Sequence, residues 1–108
     1  MKTVSVLICF SAIIAVSMVL SSCQTNAESG RMVFQQCATC HNPDSNEKKM
    51  GPGLKGLFKR ETLASNGEKI TDDTIRAKID RGGNGMPAYE NVLTDKDKKD
   101  LIEYLRTL

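Results

Sequence analysis

The chain has few of the residues from which a small domain usually builds its core. Its 108 residues include no Trp, two Tyr, three Phe and a single His. A dominant charge is also lacking, because 15 Lys and Arg against 13 Asp and Glu give a formal net charge of only +2. A nucleic-acid-binding domain would show a strongly basic face with interleaved aromatic residues. The composition therefore argues against nucleic acid as a partner and allows one small domain.

The longest apolar run lies at the N-terminus. Residues 4–20 contain fourteen apolar residues, three serines and no charge. The length of this run lies between that of a signal sequence's apolar region and that of a transmembrane helix. The tetrapeptide that ends at Cys23, LSSC, resembles the lipobox of bacterial lipoproteins, in which the Cys is lipidated after cleavage. The resemblance implies a signal peptide (1–22), a lipidated tether (23–27) and a folded domain (28–108). The alternative is an uncleaved anchor with Cys23 as a free thiol.

Four cysteines in so short a chain would ordinarily indicate a two-disulfide scaffold. Here Cys9 falls in the signal segment and Cys23 in the lipobox. The other two belong to residues 37–41, CATCH, which fit the C-x-x-C-H pattern of c-type haem attachment. On one helical turn, residues i, i+3 and i+4 share a face, so both thiols and the imidazole can reach one porphyrin. The pattern predicts a covalently bound haem with His41 as an iron ligand.

Two other uses of Cys37 and Cys40 compete with haem. A thioredoxin-like redox pair needs a βαβ context, and no run of alternating β-branched residues predicts a sheet. A structural zinc site needs four ligands, whereas the mature chain offers beyond this pair only His41 and Cys23. Haem is therefore preferred. A thiol-disulfide oxidoreductase and a haem peroxidase-like enzyme stay as functional alternatives.

Two further motifs follow in the order found in small class I c-type cytochromes. Residues 51–56, GPGLKG, are similar to the family's G-P-x-L-x-G segment, and an Arg follows at position 60. Residues 85–87, GMP, resemble its distal-ligand loop. Together with C-x-x-C-H, the resemblance covers residues 28–108. It implies an all-α fold, the small cytochrome c fold, with about three helices and loops wrapped around one covalently bound haem c.

The resemblance also assigns roles to single residues. Met86 would ligate the iron opposite His41, and its thioether would favour Fe(II) and leave no coordination position for a substrate. The carbonyl of Pro52 would accept a hydrogen bond from His41 Nδ1. Arg60 would offset a haem propionate, and Tyr89 would cover the haem edge. These roles describe an electron carrier and not an enzyme.

Capping and periodicity predict three helices. The first covers about 28–39, with Met32 expected in the core. The second begins after Thr71 and ends at Gly82, and the third begins at Thr94. By resemblance, the first and third helices cross where four residues meet: Gly30, Phe34, Leu101 and Tyr104.

A cluster of positive charge lies between residues 48 and 60, where no acid occurs. Its members are Lys48, Lys49, Lys55, Lys59 and Arg60. If these residues surround the exposed haem edge, they would favour an acidic docking surface on a redox partner; an ordinary solvated surface is the alternative.

The lipobox and the cytochrome resemblance together predict a monomeric carrier that is lipid-anchored at Cys23 on the extracytoplasmic (periplasmic) side. Its partners would be redox proteins such as a respiratory complex, a dehydrogenase, an oxidase or a reductase.

Overall fold

The computed structural model of the chain describes residues 26–108. Three α-helices follow one another in this part: α1 (Asn26–Phe34), α2 (Asp72–Arg81) and α3 (Asp95–Leu105). The remaining residues form turns, a 3₁₀ turn at Leu57–Lys59 and two isolated β-bridges. The predicted all-α fold of three helices is confirmed. The predicted signal peptide, and Cys9 and Cys23 with it, lies outside the described residues.

Helix α1 begins at Asn26 and ends at Phe34, whereas the sequence predicted a helix over 28–39. Its first two residues therefore belong to the segment predicted as a tether. After Phe34 the chain tightens, because the amides of Gln35 and Gln36 bond to carbonyls three residues back instead of four. The haem-attachment motif consequently lies in turns that follow α1. Within residues 26–108, no helix combines the length and apolar character needed to span a bilayer.

Helices α1 and α3 cross at Gly30. A Cβ on this glycine would lie 1.9 Å from the carbonyl oxygen of Asp100 and 2.8 Å from Cβ of Tyr104. One turn further along α1, the ring of Phe34 packs against that of Tyr104 with centroids 5.2 Å apart and planes tilted by 53°. Leu101 is 2% exposed in the same core. The predicted crossing is present because the missing side chain lets the two backbones touch.

Met32 is half exposed, at 51%, so its expected place in the core is wrong. The buried positions of α1 are Gly30 and Phe34, which are four residues apart and share one face of the helix. Met32 lies midway between them in sequence, about 200° around the helix from each. It therefore faces away from α3.

The second and third helices begin with the same N-terminal capping motif. The hydroxyl of Thr71 accepts a hydrogen bond from the amide of Thr74, and the hydroxyl of Thr94 accepts one from the amide of Asp97. In each case the side chain three residues on bonds back to the cap amide, which completes a capping box. Helix α2 ends at Gly82, whose φ of 63° lies in the left-handed region. The predicted boundaries of both helices are confirmed.

Candidate functional site

The C-x-x-C-H segment forms one helical turn of its own beyond α1. The amide of Ala38 bonds to the carbonyl of Phe34 at 3.0 Å, and the amide of His41 bonds to the carbonyl of Cys37 at 2.9 Å. Cys37 and Cys40 are half-buried free thiols. Residues 37, 40 and 41 thus have the i, i+3, i+4 spacing on which the haem prediction rests.

The thiol of Cys37 is not activated. Burial raises the pKa of Cys37, and the neighbouring Cys40 raises it further. Catalytic cysteines of thiol-disulfide oxidoreductases have a lowered pKa, because the thiolate is the nucleophile. Burial also raises the pKa of Tyr89, with smaller contributions from the two cysteines. Tyr89 and Cys37 both pack against the buried core, and the cover of a haem edge by Tyr89 stays a prediction.

His41 is held by the segment that follows the motif. Its Nδ1 lies 2.8 Å from the carbonyl oxygen of Pro52, to which Nδ1–H donates. This hydrogen bond selects the tautomer in which Nε2 carries the free lone pair. The amide of Gly51 bonds to the carbonyl of Cys40 at 2.9 Å, so the segment also closes on the motif.

Gly51 makes this approach possible. A Cβ at this position would lie 2.5 Å from Cε1 of His41 and 2.8 Å from its Nδ1. Carbon atoms in favourable contact are about 3.5–4.0 Å apart, so any side chain here would push the imidazole away. The glycine of the G-P-x-L-x-G segment therefore keeps its backbone against the ring of His41.

Met86 follows a tight turn at the end of α2. The amide of Gly83 bonds to the carbonyl of Met86 at 2.9 Å, and the amide of Met86 bonds back at 3.1 Å. The two residues between them, Asn84 and Gly85, have φ of 56° and 89°. Positive φ at both central residues identifies a type I′ turn, for which Asn-Gly is the preferred sequence. The Asn-Gly pair is a sequence signal for this turn, in addition to the glycines and proline that mark the distal-ligand loop. The side chain of Met86 is half-buried.

Arg60 holds the loop that carries Pro52. Its Nη2 donates to the carbonyl oxygens of Gly53 at 3.0 Å and Lys55 at 2.7 Å, and to Oδ1 of Asn46 at 2.8 Å. The guanidinium therefore joins Asn46, which precedes the glycine-rich segment, to two carbonyls within that segment. Its role toward a haem propionate stays a prediction.

The positively charged cluster divides into two groups. Arg60 and Lys49 both contact backbone, since the Nζ of Lys49 donates to the carbonyl of Ala38 inside the motif at 3.1 Å. The other members have exposed side chains: Lys48, Lys55 and Lys59. At least three cations of this segment thus face solvent.

The residues of this site fit a haem. Two half-buried thiols and an imidazole with Nε2 available match the donor set of covalent haem attachment. Several apolar side chains pack against the buried core yet stay partly exposed, as walls of an apolar cofactor site would: Leu54, Phe58, Leu63, Ile70 and Tyr89. Cys37 and Ala38 of the motif pack against the same core.

Comparison with known proteins agrees with this geometry. A family model described as Cytochrome c matches residues 27–108. The chain belongs to the cytochrome c family. Cytochrome c of Stellaria longipes is 32% identical over 98 residues, covering 75% of this chain and 91% of that protein. Cytochrome c of Arabidopsis thaliana is 32% identical over 101 residues, covering 78% of this chain and 90% of that protein.

Cytochrome c6 of Thermosynechococcus vestitus is 30% identical over 107 residues, covering 97% of this chain and 91% of that protein. Membership of the family means that this cytochrome binds one haem c covalently through cysteines and transfers electrons. Its activity consequently involves redox partners.

Proposed function

We propose that this cytochrome carries single electrons outside the cytoplasm, with haem attached to Cys37 and Cys40 and its iron ligated by His41 and Met86. Bound haem supplies a one-electron change between Fe(II) and Fe(III). The observation that carries the proposal is the 2.8 Å contact between His41 Nδ1 and the carbonyl of Pro52. It leaves Nε2 available as a ligand, within one helical turn of both cysteines.

Met86 would complete the ligand set on the second face. The type I′ turn before it and Pro87 after it restrict the backbone on both sides, which limits the positions that the thioether can take. A soft, uncharged thioether favours Fe(II) and raises the reduction potential. If His41 and Met86 both ligate the iron, no position would be left for peroxide or another substrate. This argues for a carrier and against a peroxidase-like enzyme.

Two further residues would tune the site. Pro52 would orient His41 and, by accepting a hydrogen bond from Nδ1–H, would make the imidazole a better donor to iron. Nη2 of Arg60 anchors the surrounding loop. As the family resemblance implies, the guanidinium would also place positive charge beside a haem propionate. The raised pKa of Cys37 speaks against a thiol-disulfide oxidoreductase, which needs the thiolate.

A lipid on Cys23 would hold the domain close to a membrane. Only Gln24 and Thr25 separate Cys23 from the start of α1 at Asn26. Three residues of extended chain span at most about 10–11 Å, so the folded domain would stay near the headgroups. We expect the wild type to incorporate labelled fatty acid and Cys23→Ser to lose the label. A wild-type protein without the label would contradict lipidation.

The partner would present an acidic surface. Lys48, Lys55 and Lys59 are exposed on the segment that carries Pro52, and no acid lies between residues 48 and 60. Attraction between opposite charges speeds encounter at low ionic strength and weakens as salt is added. Electron-transfer rates with the physiological partner should therefore fall as ionic strength rises. Rates independent of salt would contradict this docking surface.

The decisive experiment combines covalent attachment with ligation. Protein produced with a c-type haem maturation system should give the haemochrome spectrum of a doubly thioether-linked haem in pyridine. Met86→Ala should then lower the reduction potential and let imidazole bind the oxidised iron. Free thiols without covalent haem would support the oxidoreductase, and an iron that binds imidazole as readily in wild type as in the variant would overturn ligation by Met86.

A further inference from the structure

The most deeply buried cation of the described residues is Lys98 on α3. It is only 4% exposed. Its Nζ lies 2.6 Å from Oδ1 of Asp80 and 3.1 Å from the carbonyl oxygen of Glu90, to which it donates. Oδ1 of Asp80 is itself buried and accepts no hydrogen bond among residues 26–108, so the ammonium of Lys98 meets it as an ion pair. Lysine is almost never buried unless it is paired, so this contact is a specific feature of the fold.

The two partners of Lys98 stand at the two ends of one loop. Asp80 lies in the last turn of α2, just before the loop of residues 82–88 that carries Met86, and Glu90 lies just after it. Backbone hydrogen bonds close the same base: the amide of Tyr89 bonds to the carbonyl of Ile79 at 3.0 Å, and that of Glu90 to Asp80 at 3.3 Å. One lysine from α3 thus holds the chain on both sides of the loop.

We propose that Lys98 is a positioning residue for Met86: its contacts with Asp80 and Glu90 close the base of the 82–88 loop and so keep the thioether on the iron. The inference rests on the proposed ligation by Met86. Loss of the ammonium leaves a half-buried carboxylate and a carbonyl without their donor. The loop then opens more often, and an exogenous ligand competes for the iron in proportion to the open fraction.

Helix α3 contains a matched control. Lys96 also pairs with a carboxylate on this helix, that of Asp100, which is 3% exposed. Asp100 lies at the crossing with Gly30 of α1 and is not one of the residues that close the loop base. Lys98→Met and Lys96→Met therefore make the same chemical change on the same helix. Gly30→Ala adds a control for loss of overall stability, because its clash lies at the same crossing.

The test uses the oxidised holoprotein and measures imidazole binding, the absorbance of the thioether–iron bond, the reduction potential and hydrogen exchange of the Tyr89 amide. We expect Lys98→Met to bind imidazole about tenfold to a hundredfold more tightly than wild type. It should also lose absorbance of the thioether–iron bond, have a lower potential and exchange the Tyr89 amide faster. Lys96→Met and Gly30→Ala should match wild type in imidazole binding, thioether–iron absorbance and reduction potential, and their exchange of the Tyr89 amide should rise no more than the loss of global stability requires.

Asp80→Asn provides a second test with almost unchanged side-chain volume, should Lys98→Met fail to fold. It removes the charge that Lys98 neutralises and should shift imidazole affinity in the same direction. Imidazole affinities of Lys98→Met or Asp80→Asn equal to those of the controls would overturn the role of Lys98. A wild-type protein that binds imidazole as readily as Met86→Ala would instead show that Met86 is not the ligand, which is a failure of the proposed function.

Discussion

Gly30→Ala tests whether the crossing of α1 and α3 depends on the absence of a side chain. The new Cβ would lie 1.9 Å from the carbonyl oxygen of Asp100 and 2.8 Å from Cβ of Tyr104. Close carbon–oxygen contacts in proteins are about 3.3 Å or longer, so the two helices must separate by about 1.4 Å at this point. The obstacle is backbone, which cannot rotate away as the end of a flexible side chain could.

The cost follows from three contributions. Overpacking of a fitted contact typically costs about 1–3 kcal/mol. Separation of the helices also weakens the pair of Phe34 and Tyr104, whose centroids are 5.2 Å apart; such pairs contribute about 0.5–1.5 kcal/mol. Against this, Ala in place of Gly within a helix gains about 1 kcal/mol of propensity. We expect Gly30→Ala to lower the free energy of unfolding by about 1–3 kcal/mol.

The assay is denaturant unfolding of the haem-loaded protein followed by far-ultraviolet circular dichroism. Ser29→Ala is the matched control, because it introduces alanine one position away without adding a Cβ. The control should be neutral or slightly stabilising. The sign of the change decides the matter: helix propensity alone would stabilise Gly30→Ala by about 1 kcal/mol. A variant as stable as wild type, or more so, would refute the close crossing as the reason for this glycine.

Three further substitutions probe the site and its supports. Gly51→Ala places a Cβ 2.5 Å from Cε1 of His41; unfolding free energy should fall by about 1–3 kcal/mol and redox titration should show a shifted potential. Thr94→Ala should cost about 1 kcal/mol through the lost helix cap. Hydrogen bonds from the Thr94 hydroxyl and amide lower the pKa of Asp97, so the deficit measured by urea unfolding should be largest at neutral pH and shrink below about pH 4. Gly82→Ala, with φ near +63° and two carbonyl oxygens within 2.6 Å of the new Cβ, should expose the iron to imidazole in binding titrations.

Each of these expectations has a contrary outcome. An unchanged potential and stability in Gly51→Ala would mean that the imidazole has room to move. A Thr94→Ala deficit that grew on acidification would contradict the sign of the Asp97 shift, because a carboxyl with a lowered pKa stabilises the fold only while it is ionised. If Gly82→Ala excluded imidazole as well as wild type does, the glycine at the end of α2 would have no part in holding the distal loop.

The local parts of the fold were predictable from the sequence. The starts of α2 and α3 depend on a threonine and the residue three positions later, so Thr71 and Thr94 identify them without knowledge of the tertiary structure. The C-x-x-C-H turn is equally local, since it joins residues within five positions. The end of α1 was harder to predict, because the change from i−4 to i−3 hydrogen bonding after Phe34 has no clear signal in composition.

Packing decided the features that the sequence alone could not. Met32 and Phe34 are both apolar residues on one short helix, and only the position of α3 determines that Phe34 is buried and Met32 is half exposed. Lys98 has two lysines close to it in α3, at positions 96 and 99. Nothing in its identity distinguishes it from them until α2 and the residues after Met86 enclose it.

The sequence by itself determined the chemistry of this protein: a haem-attachment motif with its histidine, a methionine between glycines and a proline, and helix boundaries set by neighbouring residues. It could do so because those properties depend on residues a few positions apart. The tertiary structure decided which backbone touches Gly30, which carbonyl lies at Nδ1 of His41 in this chain, and which lysine is buried. Contact and burial depend on where distant segments meet, and that is a property of the whole fold.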